Sequence, residues 1–109
     1  MLGRHCFLSL YDCDKSILDN TNTLIEMQEH AAVLSGATVV QTIFKKFFPQ
    51  GVTVLTLLEE SHISIHTWPE RGEAAVDIFT CGTCDPTIGA KYIVDTVNSQ
   101  RYKMEVVER

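Results

Sequence analysis

Three short turns separate four strand-like segments between Thr38 and Thr80, and this spacing constrains the fold more than any other feature of the chain. Thr38 to Phe48 is rich in β-branched and aromatic residues, and Val52 to Leu58 is a nearly continuous apolar run. The stretch Glu60 to Glu70 reads mostly as a strand, with Ile63 and Ile65 alternating with His62, Ser64 and His66. Pro69 ends that alternation because it has no N–H to give to a ladder. Glu73 to Thr80 is the fourth segment. The separators Pro49-Gln50-Gly51, Glu59-Glu60 and Arg71-Gly72 are too short for crossover connections, so these strands pair antiparallel.

The flanks complete the pattern. Gly3 to Tyr11 reads as a strand, and Asp12-Cys13-Asp14 as a turn. Ser16 followed by Asp19 has capping-box spacing with Asp in place of Glu. Ile17, Leu18, Thr21, Leu24, Ile25, Gln28, Ala31 and Ala32 then recur at helical spacing, which predicts one long helix stopped at Gly36. Asp85-Pro86 opens a second helix, with Asp as N-cap and Pro at the first helical position. Arg101 to Val107 closes the chain as a strand. The order β-α-β-β-β-β-α-β predicts an α/β chain of the α+β kind: one domain over residues 1–109, built as a two-layer sandwich. Two helices cover one face of an antiparallel sheet. The other face still needs burying, and a homodimer is one way to bury it.

Composition limits what such a domain can do. The net charge of -5, with no basic run, gives no footing for nucleic acid. Hydrophobic residues at 45% and charged residues at 21% fit a folded globule rather than a disordered chain. No apolar run approaches the roughly 20 residues that span a bilayer, and the first residues do not read as a signal peptide. The expected setting is the cytoplasm, where the four cysteines stay reduced.

Reactive groups crowd one stretch. Ser61, His62 and His66 lie within a few residues of the Glu59-Glu60 pair. Spacing alone leaves two readings open, a solvated strand face and a reactive site, and favours the first. Cys81-Gly82-Thr83-Cys84 is a C-x-x-C, but a structural zinc site needs four ligands and the chain has no second such pair, so no metal is expected. His5 and His30 read as strand-surface and helix-surface residues without a special role.

A longer pattern decides between the readings. Glu60-Ser61-His62, Ile65-His66-Thr67-Trp68-Pro69-Glu70 and Ala75 to Gly82 together resemble the small prokaryotic S-adenosylmethionine decarboxylases. Gly3-Arg4-His5, Leu18-Asp19-Asn20, Ser35-Gly36-Ala37-Thr38 and Phe47 to Val52 fall at the same family's spacing. The resemblance covers nearly the whole chain. It implies a self-processing pyruvoyl enzyme, cut between Glu60 and Ser61 into chains 1–60 and 61–109, with Ser61 becoming the pyruvoyl that forms a Schiff base with the substrate amine. It implies that His66 assists processing, that Thr53 supports it where the family commonly has serine, and that Cys81 reprotonates the substrate carbon. It assigns Phe47 to the adenine and sulfonium and Glu70 to the ribose, with Trp68 a lesser candidate for substrate contact. The implied product is decarboxylated S-adenosylmethionine for spermidine synthesis, made at a site near a dimer interface that both protomers supply. Two alternatives share the residues: the same machinery acting on arginine or ornithine, and an unprocessed homologue that regulates a partner. A Cys81–Cys84 disulfide, if formed, would disable the proton donor.

Overall fold

The computed structural model describes residues 1–109. Six strands form one sheet: β1 (Arg4–Tyr11), β2 (Val39–Lys46), β3 (Val52–Leu58), β4 (Ser61–Trp68), β5 (Glu73–Thr80) and β6 (Arg101–Glu108). Their spatial order is β2-β3-β4-β5-β1-β6, and every neighbouring pair is antiparallel. The short turns thus produce the expected meander from β2 to β5. The first and last strands extend the sheet beyond β5, which local spacing did not reveal.

The long helix expected after Ser16 is two helices, α1 (Lys15–Leu18) and α2 (Thr21–Leu34). Two side chains divide it. Asp14, not Ser16, caps α1 by accepting the Ser16 and Ile17 N–H groups. Asn20 restarts the chain as N-cap of α2 and accepts Thr23 N–H at 3.1 Å, an interaction worth roughly 0.5–2 kcal/mol. Asp19 turns outward instead, accepting from Lys46 Nζ at 2.7 Å and from Gly51 N–H at 2.9 Å. α2 ends where expected, with Gly36 at φ +89°. α3 (Pro86–Thr96) is capped by Asp85, which accepts Thr87 N–H.

α2 and α3 lie side by side on one face of the sheet. Gly89 lets them approach: its N–H donates to Ser35 Oγ at 3.1 Å, and a Cβ there would sit 2.5 Å from that oxygen. The core lies between these helices, which contribute Ile93 among others, and the inward side chains of the central strands, among them Leu8, Val54, Ile63, Ile65 and Ile78. Period-two alternation puts the neighbouring residues on the opposite face. That face carries Phe7, Ile43, Leu55, Leu57 and Trp68, all substantially exposed. It also carries His5, on the strand's open face as expected but only partly exposed. Its Nε2 is buried 3.3 Å from Asp77 Oδ1, out of line for a hydrogen bond, and its ring stacks on Phe7 at 4.1 Å. His30 lies on α2 with its ring edge against Tyr92. No helix is long and apolar enough to cross a membrane.

Candidate active site

The sequence-selected residues gather at the two ends of β4 rather than at one point. At the first end, the Glu59-Glu60 turn leads into Ser61, which pairs with Leu58 of β3 and Thr80 of β5. Cys81 follows Thr80 directly, so the hydroxyl-bearing and thiol-bearing residues share this end. Ser61 has φ +147°, a region that side-chain-bearing residues rarely enter. Holding a residue there costs about 1–3 kcal/mol and requires surroundings that enforce it.

Those surroundings come from the segment after α2. Thr38 O accepts Glu59 N–H at 3.0 Å, and Thr38 N–H donates to Glu60 Oε1 at 2.9 Å. The same segment holds the Cys81–Asp85 turn. Asp85 N–H donates to Ser35 O at 3.0 Å, and the Cys84 thiol donates to Gly36 O at 3.3 Å. Arg4 adds a third tie, from Nη2 to Cys84 O at 2.6 Å. Across the ladder from Ser61, the Thr80 hydroxyl is buried with no hydrogen-bond partner.

The four thiols are not equivalent. Burial pushes Cys6 up to about 11, and burial likewise raises Cys13. Burial raises Cys84 too, reinforced by the nearby Glu60 and Cys81. All three favour the inert thiol. Cys81 alone is partly exposed. The C-x-x-C therefore divides into an anchoring Cys84 and an accessible Cys81, and no group of three metal-ligand side chains gathers around them.

The second end holds the remaining candidates. Thr53 and His66 are direct ladder partners, with Thr53 Oγ1 and His66 Nδ1 2.9 Å apart. The threonine hydroxyl is thus within hydrogen-bond reach of the imidazole. His66 Nε2 has no protein partner. Trp68 lies two residues further along the same face, and Glu70 is exposed in the short 3₁₀ turn Pro69–Arg71. Phe47 flanks the turn after β2, where its N–H donates to Gly51 O at 2.8 Å and the residue remains 46% exposed. Between the two ends a hollow of about 450 Å³ opens on the uncovered sheet face, lined by Gln41, Ile43, Leu55, Leu57, His62 and His66 among others.

One chain does not bring the two ends together. Ser61 and His66 are five residues apart on one straight strand, about 17 Å at the usual rise. Sequence reasoning also passed over Thr80, Arg4 and the roles of Asp19 and Ser35–Thr38. All of them lie in stretches that carried the family resemblance, but only the fold gives them a task.

Together the fold and these residues define a two-layer α+β protein with a serine-thiol pair at one strand end and a hydroxyl-imidazole pair at the other. The S-adenosylmethionine decarboxylase family profile matches residues 4–109, and the chain belongs to that family. An S-adenosylmethionine decarboxylase proenzyme of Thermosipho africanus is 47% identical over 108 residues, covering 98% of this chain and 82% of the relative. A proenzyme of the same name from Synechococcus sp. (strain WH7803) is 61% identical over 82 residues, 75% of this chain and 64% of that one. The crystal structure of the adenosylmethionine decarboxylase from Aquifex aeolicus superposes with TM-score 0.89 at 37% identity, over 98% of this chain and 89% of that one. A Trypanosoma brucei AdoMetDC monomer, at 12% identity and TM-score 0.68 over 94% of this chain and 45% of its own, shares the fold alone.

Proposed function

We propose that this chain is a self-cleaving proenzyme of a pyruvoyl-dependent decarboxylase. It converts S-adenosylmethionine to decarboxylated S-adenosylmethionine, the aminopropyl donor for spermidine, in the cytoplasm. The observation that carries the reading is Ser61: a serine in a strained conformation directly after Glu60, paired across the ladder with the residue next to Cys81.

Cleavage follows from the chain's own groups. Ser61 Oγ attacks the Glu60 carbonyl carbon, the C–N bond breaks, and the amide becomes an ester. A base removes the Ser61 α-proton, and the Glu60 carboxylate leaves. Hydrolysis of the resulting dehydroalanine releases ammonia, leaving chain 1–60 and a pyruvoyl-capped chain 61–109. His66 suits the base role when Nδ1–H donates to Thr53 Oγ1, because the lone pair then lies on the unpartnered Nε2.

The end of β5 fits the group so formed. The Thr80 hydroxyl, buried and unpartnered, is a ready donor to a new carbonyl there. A pyruvoyl supplies an electron-poor carbonyl that accepts the electron pair freed as carbon dioxide departs. Cys81, the accessible thiol beside it, delivers the proton to the substrate carbon. Phe47 presents a ring to the adenine and sulfonium, and Glu70 a carboxylate to the ribose hydroxyls, with Trp68 beside them.

Since His66 lies about 17 Å from Ser61 within one chain, the complete site is composite. A second copy packed on the open sheet face, related by a two-fold axis, brings its second end against this chain's first end and creates two equal sites. The exposed Phe7, Ile43, Leu55, Leu57 and Trp68 supply the apolar surface for that contact.

A denaturing mass spectrum tests the reading. Two masses matching 1–60 and pyruvoyl-capped 61–109, with decarboxylated S-adenosylmethionine formed on addition of substrate, are expected. A single uncleaved chain, or an amine formed from arginine or ornithine instead, would overturn it.

A further inference from the structure

The turn that carries the scissile bond is gripped from one place. Thr38 applies both of its backbone groups to it, accepting from Glu59 N–H and donating to Glu60 Oε1. Thr38 is itself tied to the end of α2, through Gly36 at φ +89° and through Ala37 N–H donating to Ala32 O at 2.9 Å. The grip is therefore anchored in the packed core. A tight antiparallel turn usually places its positive φ angles on its central residues. Here neither Glu59 nor Glu60 has one, and the positive angle falls on Ser61.

We propose that the Glu60 carboxylate is a positioning residue for self-cleavage. By taking the Thr38 N–H it locks the turn and concentrates the strain on Ser61, and loss of that strain drives the first step. The inference rests on the cleavage reading above. In that step the Ser61 Oγ–Glu60 C bond forms, the Glu60 C–Ser61 N bond breaks, and the hydroxyl proton ends on the freed nitrogen. Exchanging an amide for an ester is uphill in a relaxed chain. The strained torsion at Ser61 is defined by the Glu60 carbonyl carbon, so it ceases to exist once that carbon moves from nitrogen to oxygen. The latch survives the step, because the Glu60 side chain takes no part in it.

The test isolates the amide–ester equilibrium. In a His66→Ala protein, which lacks the elimination base, the reaction halts at the amide–ester equilibrium, and a hydroxylamine pulse short against re-equilibration splits the ester present into fragments countable by mass spectrometry. Adding Glu60→Ala should lower the ester-to-amide ratio about tenfold, within the range that such a strain supplies. Glu60→Gln, which keeps the accepting oxygen, should stay within about twofold of its parent. Thermal unfolding confirms that each variant is folded. Equal ester fractions for Glu60→Ala and its parent would overturn the proposal. So would a loss in Glu60→Gln as large as in Glu60→Ala, which would assign the effect to charge rather than to the latch. An unsubstituted chain that never cleaves would sink the cleavage reading itself, and this inference with it.

Discussion

The two ends of β4 carry different kinds of order. At the Ser61 end the chain is bent into an unfavourable torsion, hydrogen bonds with Ser35, Gly36 and Thr38 hold two separate turns against one segment, and Arg4 ties the second of them to β1. At the His66 end nothing is strained among the candidate residues. Thr53 and His66 meet as ordinary ladder partners, and Glu70 and Phe47 stand on exposed turns. In the proposed mechanism the first end breaks a bond, and the second moves a proton and receives a ligand. The division suits a proenzyme whose chain must first act on itself and then on a substrate.

The sharpest way to break this contrast is to remove the nucleophile. Ser61→Ala should abolish both cleavage and decarboxylation. A Ser61→Ala protein that still decarboxylates would end the mechanism. A mixing experiment tests whether the ends work in trans. Ser61→Ala and His66→Ala proteins, each inactive alone, should regain roughly a quarter of wild-type activity when co-expressed, since half the dimers carry one intact site of two. No recovery would place both ends of each site in one chain.

Cys81→Ala should separate the two reactions. Its cleavage should proceed, seen by mass spectrometry, while turnover falls about 10²–10⁴-fold, as for loss of a positioned proton donor. Phe47→Ala should act at the other end and only on binding. The KM for S-adenosylmethionine should rise about 2- to 30-fold, as expected for losing 0.5–2 kcal/mol of cation–π attraction, with cleavage intact.

The smallest expected effect concerns the face between the ends. Desolvation, then the neighbouring His5, lower the proton affinity of His62, opposed by Asp77. The native state therefore binds fewer protons at this residue than the unfolded chain. Stability should fall as pH drops through the ordinary histidine value of about 6.5. Thermal unfolding at pH 7.5 and 5.5 should show that loss, and His62→Gln should lessen it.

Much of this was legible from local pattern. Turn chemistry at Gly51, Glu59-Glu60 and Gly72 fixed the antiparallel meander, because two or three residues cannot carry a strand across a sheet face. Alternation along β4 separated Ile63 and Ile65 from His62 and His66. The cap at Asp85 was readable for the same reason, since its partners are its immediate neighbours. The break at Asp19-Asn20 was missed because helical spacing continues across it. What redirects Asp19 is a lysine and a backbone N–H from the β2–β3 hairpin.

The sequence by itself determined which side chains are available and which strand each occupies. Those properties depend on neighbours a few residues away. Tertiary structure decided that β1 enters beside β5, that Thr38 closes on the Glu59-Glu60 turn, and that Ser61 and His66 stand toward opposite ends of one strand. Each of these joins segments distant along the chain. Such contacts form only when the packed core makes closing the intervening loops favourable.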